Sequence, residues 1–200
     1  MDAKKCALII MHCQNDIVHP DGAYNNGGSF KAVQEKKVLE KIAETKAAAK
    51  AAGMQVIYIN NKFSPDYREL GERNLPLCSA ARDTKSFMIG TWGVENPEII
   101  KIEDDDYEII NYSDSCFVGT TLEIVLLNKG ITDLYLCGVA TNFVVESCAR
   151  EASHLNFNNH VLEDCCASWE PEMHTFAIEK TLPQFAEITD HNALIAALKA

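Results

Sequence analysis

The chain has 200 residues, 47% of them hydrophobic and 24% charged, with a net charge of −11 at pH 7. That length lets one domain, residues 1–200, bury a continuous core without covalent staples. The acid excess argues against nucleic acid, whose phosphates need clustered Lys and Arg, and no apolar run reaches the roughly 18 residues that span a bilayer.

Ala7 to Met11 form an almost wholly apolar run that ends at polar residues, the pattern of a buried parallel strand whose carboxyl end opens onto a site. Residues 33–52 place Val38, Leu39, Ile42 and Ala49 on one helical face, and Gly53 closes the segment as a C-cap would. Gln55 to Ile59 give a second strand. Residues 60–105, with Pro65, Pro76 and Pro97, read as a long excursion over the strand ends, a place where pockets are often shaped. Tyr107 to Ile110 make a third strand, and Thr120 with Glu123 fit a capping box ahead of a helix closed by Gly130.

Leu134 to Cys137 form the fourth strand, and the helix after it sets Val144, Cys148, Ala152 and Leu155 on one stripe. His160 to Leu162 give the fifth strand. A helical segment from Pro171 follows, then a sixth strand over Phe185 to Ile188 and a final helix capped by Asp190. Strict alternation of strand and helix implies right-handed crossovers and a three-layer α/β/α domain, with a six-stranded, mostly parallel, Rossmann-like sheet. Ligands of such sheets bind beyond the carboxyl ends of the strands. That edge collects His12, Asp16, Asn60, Asn61, Asn111, Tyr112 and the turn from Gly138 to Asn142.

The amino terminus lacks a basic segment followed by an apolar core and a cleavage site, so a cytoplasmic protein without a membrane partner is expected. The eight cysteines have no dense regular spacing and form no Cys-x-x-Cys pair, so most should be small buried hydrophobes and structural zinc is not expected. His12, Cys13, Asp16 and His19 lie close in sequence, but no paired-ligand spacing on one face supports a metal. No cofactor is expected. The four acids from Glu103 to Asp106 read as a solvated turn.

Gln14-Asn15-Asp16 after a strand, Phe117 with Gly119-Thr120 before a helix, and Gly138-Val139-Ala140-Thr141-Asn142 form a co-linear set. This set resembles the isochorismatase-like cysteine hydrolases, and the similarity runs over nearly the whole chain. The resemblance implies a catalytic aspartate, lysine and cysteine at the positions of His12, Asn111 and Val144. None of the three is kept. An imidazole can still move protons near neutral pH, whereas asparagine carries no charge to stabilise a thiolate or oxyanion, and valine is not a nucleophile. Cys148 lies one helical turn from Val144 and reads better as a core residue; Cys13 would face away from His12 if the strand continued. The resemblance also suggests a homo-oligomer. The zinc ligands of its nicotinamidase branch are missing, since this chain reads Asn60-Asn61-Lys62-Phe63.

The expected ligand-facing residues are Asn60, Trp92, Phe117, Ala140 and Thr141. Trp92 and Phe117 fit a pocket wall or core packing equally well. Ala140 and Thr141 belong to a turn whose backbone could cradle an anion, and Asp16 reads as a backbone acceptor or a substrate contact. The leading functional expectation is a protein that binds a small molecule, or assembles, without thiol-dependent hydrolysis. Two alternatives stand beside it: a cysteine-independent hydrolase of the isochorismatase type using His12 as general acid or base, and a structural subunit of a hetero-oligomer.

Overall fold

The computed structural model describes residues 1–24 and 28–200. Its strands are β1 (Cys6–Met11), β2 (Gln55–Asn61), β3 (Tyr107–Asn111), β4 (Asp133–Val139), β5 (Asn158–Ala167) and β6 (Glu187–Thr189). They form one sheet in the order β3-β2-β1-β4-β5-β6. Every pairing is parallel. All of β1 is buried, because a central parallel strand is covered on both faces, and this is why it carries an unbroken apolar run.

The helices are α1 (Asn15–Val18), α2 (Ser29–Lys36), α3 (Val38–Ala51), α4 (Pro76–Thr84), α5 (Leu122–Asn128), α6 (Glu146–His154), α7 (Pro171–Phe176) and α8 (His191–Lys199). The chain steps outward from β1 to β3, then returns to β4 and runs on to β6. Right-handed crossovers place the helices of these two directions on opposite faces, which builds the three layers. On one face α3 and α8 pack against each other and against β5. Among the described residues no helix is long and apolar enough to cross a membrane.

Several boundaries differ from the sequence reading. The single helix expected over residues 33–52 is two, broken at Lys37, which adopts a left-handed conformation at φ 54°. Val33 and Val38 are both buried, yet five residues on one straight helix would point them about 140° apart at 3.6 residues per turn. The break lets both face the core. Gly53 closes α3 as expected, at φ 76°, and Met54 N donates to Ala49 O at 2.9 Å, the pattern of a left-handed helix end.

The capping box at Thr120 does not form. Thr121 is the N-cap and makes no side-chain cap bond, while Thr120 Oγ1 donates to Cys116 O at 2.6 Å and accepts from Leu122 N at 3.2 Å. β5 is much longer than His160 to Leu162. It also carries a bulge, because Leu136 pairs with Val161 whereas Gly138 pairs with Cys166. The sixth strand starts two residues later than expected, and Leu155 lies outside its stripe, exposed at the end of α6. The Asp190 cap is present, with Oδ1 accepting from Ala193 N at 2.9 Å.

Candidate functional site

Sheet order reverses between β1 and β4, and the residues that follow these two strands open beneath a cavity of about 550 Å³. Such a switch point leaves a crevice because the two connections depart in opposite directions. His12, Asn61, Val139 and Ala140 lie at the strand ends, Tyr24, Phe63, Phe87, Phe143 and Trp169 supply aromatic walls, and Leu70 to Ala81 close over it.

The approach of β1 to β4 depends on Gly138, which pairs with Met11. Its φ is 133°, and a Cβ there would lie 2.1 Å from Met11 O. The next peptide, Val139-Ala140, is cis. Asp16 sets the loop after β1. Its carboxylate accepts from Ala23 N at 2.9 Å and Phe87 N at 2.6 Å, and Gly93 leaves it room, since a Cβ there would fall 2.3 Å from the carboxylate. Of the two sequence readings of Asp16, the backbone acceptor is the one this geometry supports.

His12 lies just past β1 in a left-handed conformation, φ 51°, with its N–H donating to Ile59 O at 2.8 Å. Its ring meets Asn61 and Asn111: His12 Nε2 is 3.0 Å from Asn111 Oδ1 and 2.8 Å from Asn61 Nδ2. Asn61 Nδ2 is also 2.5 Å from Asn111 Oδ1. Asn111 Nδ2 donates to Ser113 O and Ser115 O at 2.7 and 2.9 Å, which turns its oxygen toward the other two. Asn61 Nδ2 thus has a hydrogen for each neighbour, and the role of His12 Nε2, acceptor from Asn61 or donor to Asn111, follows the tautomer of the ring. Burial pushes the imidazole down to about 4, against the opposing bond from Asn111. Charging an imidazole away from water is unfavourable, which keeps the ring neutral at physiological pH. Gln14 fixes this end of β2: its Nε2 donates to Asn61 O at 2.8 Å, and its Oε1 accepts from Asn61 N at 2.8 Å.

The structure brings His12, Asn111 and Ala140 to this edge and leaves other expected residues away from the cavity. Asn60 points off the opposite face of β2, as alternation along a strand requires. Its amide donates to Asn96 Oδ1 and to Glu108 Oε1, both at 2.8 Å, and Glu108 also holds Lys62 at 2.7 Å. Asn61 is therefore the ligand-facing residue of that pair. Trp92 is largely exposed and meets His19 edge-on, with ring centroids 4.8 Å apart. Phe117 stacks on Phe157 at 6.2 Å. Neither lines the cavity, because each belongs to a loop that packs elsewhere.

Thr141 is buried beneath the turn, where Oγ1 lies 2.8 Å from His174 Nδ1 while Lys36 Nζ donates to His174 Nε2 at 2.6 Å. Burial, followed by the Lys36 charge, pushes His174 down to about 4, and burial lowers Lys36 as well. Just past the Gly138 to Asn142 turn expected to cradle an anion, Phe143 N and Val145 N both donate to Ala140 O, at 3.2 and 3.3 Å.

Val144 is fully buried in a π-helical turn, Thr141–Val145. Cys148 is equally buried, against Cys116. Cys13 is buried too; burial, then the neighbouring Cys166, raises its thiol. Cys78, on α4, lines the cavity and makes no hydrogen bond among the described residues. All eight thiols are free. Away from the cavity, the β5 bulge brings Asp164 and Cys165 to His191. There Asp164 Oδ1 accepts from His191 N at 3.0 Å, Oδ2 bonds His191 Nδ1, and Lys41 stands 3.6 Å off, so the group serves to dock α8.

Sequence reasoning did not single out Tyr24, Asp114, Trp169 or the covering residues Leu70 to Ala81. The signal for the cover was the reading of residues 60–105 as an excursion over the strand ends, which did not tell which part of it closes the cavity.

A family model, the isochorismatase domain, matches residues 6–193. The chain is similar to the isochorismatase family protein YecD of Escherichia coli O157:H7, 29% identical over 99% of this chain and 98% of that protein. It is 30% identical to the ureidoacrylate amidohydrolase RutB of Caulobacter segnis, over 86% of this chain and 76% of the relative. Among solved structures, a cysteine hydrolase from Pseudomonas syringae pv. phaseolicola superimposes with a TM-score of 0.86 at 20% identity, covering 100% of this chain and 94% of the other.

Proposed function

The chain belongs to the isochorismatase family, and from that premise we propose that it binds a small molecule in the cavity over β1 and β4 without thiol-dependent amide hydrolysis. The observation that carries this reading is Val144, a fully buried hydrocarbon at the position where the resemblance sets the nucleophile. Its surroundings agree. The position of the family's lysine holds Asn111, and the nearby ammonium of Lys62 is paired with Glu108 at 2.7 Å. A thiol needs a base or a lowered pKa to attack a carbonyl. Cys13 and Cys148 are buried away from the cavity, and the Cys78 thiol is hydrogen-bonded to no side chain among the described residues. Ureidoacrylate amidohydrolases are among the relatives, so amides and ureides belong in any screen of the cavity.

A second reading rests on His12, which borders the cavity and whose neutral imidazole keeps one unprotonated ring nitrogen. Such a nitrogen can serve as a general base toward water, which allows a cysteine-independent hydrolase. Purified protein incubated with amides, ureides and enol ethers, with turnover and thermal shift read in parallel, separates the two. Stabilisation without turnover is expected, since a ligand that prefers the native state raises its apparent stability. Turnover lost in His12→Ala but kept after iodoacetamide treatment would favour the second reading. Turnover abolished by iodoacetamide would overturn both.

A further inference from the structure

We propose that Asp114 selects the ligand of this cavity, and that the ligand is a compact, largely apolar molecule carrying a protonated amine. The inference rests on the reading that the cavity is the ligand site. Asp114 follows β3 and lines the cavity beside Ser113 and Tyr112, and its carboxyl makes no hydrogen bond or ion pair among the described residues. A half-buried carboxyl with no protein partner is unusual, because desolvating an acid without a donor is unfavourable and native structures normally supply one. The carboxyl lines the cavity, where a ligand can reach it. Ile17, Tyr24, Phe63, Leu70, Leu77 and Trp169 present hydrocarbon and aromatic surface, which suits an apolar body.

The charges facing Asp114 also select a cation. Tyr24 is a neighbour, and burial, then Asp114, pushes its phenol up to about 12, so it adds no charge at physiological pH. Cys78, on α4, stands next to Tyr24, and Asp114 acts on the buried Cys116 two residues along the chain, neither of which supplies a positive charge. His12 is neutral. Arg73, the one Lys or Arg lining the cavity among the described residues, is exposed, its Nε donating to Leu70 O at 3.2 Å. The chain as a whole carries −11, a field that draws cations and repels anions. An ammonium placed on Asp114 would pair in a dry site, where such contacts are strongest.

The test uses three probes of one shape: phenethylamine, 2-phenylethanol and 3-phenylpropanoate, titrated calorimetrically into the full chain. Phenethylamine is expected to bind at least about tenfold more tightly than the alcohol, with the carboxylate weakest. Asp114→Asn should bring the amine to the level of the alcohol. Burial raises the Asp114 carboxyl to about 6, so amine binding by the unaltered protein should weaken about tenfold between pH 7.5 and pH 5 as the carboxyl takes up its proton. Equal binding of amine and alcohol, an amine preference that survives Asp114→Asn, or a flat response to pH would overturn the proposal alone. If none of the three probes binds, this proposal falls, while the cavity reading is decided separately by the thermal-shift screen with amides, ureides and enol ethers. Should Asp114→Asn fail to fold, the pH response of the unaltered chain decides.

Discussion

Replacing His12 by glutamine should make the fold more resistant to acid. In the folded protein burial holds the imidazole down to about 4, whereas an ordinary histidine titrates near 6.5. Between these values the unfolded chain binds the proton and the folded one does not, so stability is complete above about pH 6.5 and is lost as pH falls toward 4. A shift of that size is worth about 3 kcal/mol when fully expressed, and about 2–3 kcal/mol of it is already lost at about pH 4.5. Glutamine keeps an acceptor for Asn61 Nδ2 but cannot titrate. Urea unfolding of both proteins at about pH 7 and about pH 4.5 gives the difference of differences, with the variant losing about 2–3 kcal/mol less on acidification. His174, also held at about 4, and the carboxylates contribute equally to both proteins and cancel. Equal acid losses in the two proteins would show that His12 is not buried neutral.

Other consequences are checked more simply. Gly138→Ala forces a Cβ to 2.1 Å from Met11 O at φ 133°; a loss of at least about 3 kcal/mol is expected by thermal or urea unfolding, since strain and overlap add. Asp16→Asn weakens the bonds to Ala23 N and Phe87 N, which should cost about 2 kcal/mol and speed hydrogen exchange at those two amides. Lys36→Met removes the donor to His174 Nε2, so His174 should titrate higher than in the unaltered chain, as followed by its ring NMR signals; an unchanged titration would mean that the Lys36 contact is not made in solution.

How much of the site could be read from the chain differs residue by residue. His12 and Ala140 were legible because each follows an apolar strand run directly, and a parallel sheet sends its strand ends to one edge. Asn60 and Asn61 were not separable. Period-two alternation says that they face opposite ways, but which of them faces the cavity depends on how β2 pairs with β1, where Ile59 lies beside Met11. Trp92 and Phe117 were assigned to the pocket on residue type alone, and type does not tell a pocket wall from a loop plug. The two-helix break at Lys37 went unseen because no glycine or proline marks it; burial of both Val33 and Val38 imposes it.

Local patterns therefore determined the alternating strands and helices, the parallel sheet, the family resemblance and the valine at position 144 where that resemblance sets a cysteine, since each depends on residues adjacent in sequence or at fixed spacing. Tertiary structure alone decided that Asn61 and Asn111 enclose a neutral His12, that Asp114 stands without a partner, and that Leu70 to Ala81 roof the cavity. Those facts join segments separated by tens of residues. Their geometry comes from sheet order, a bulge and loop packing, which short-range patterns do not encode.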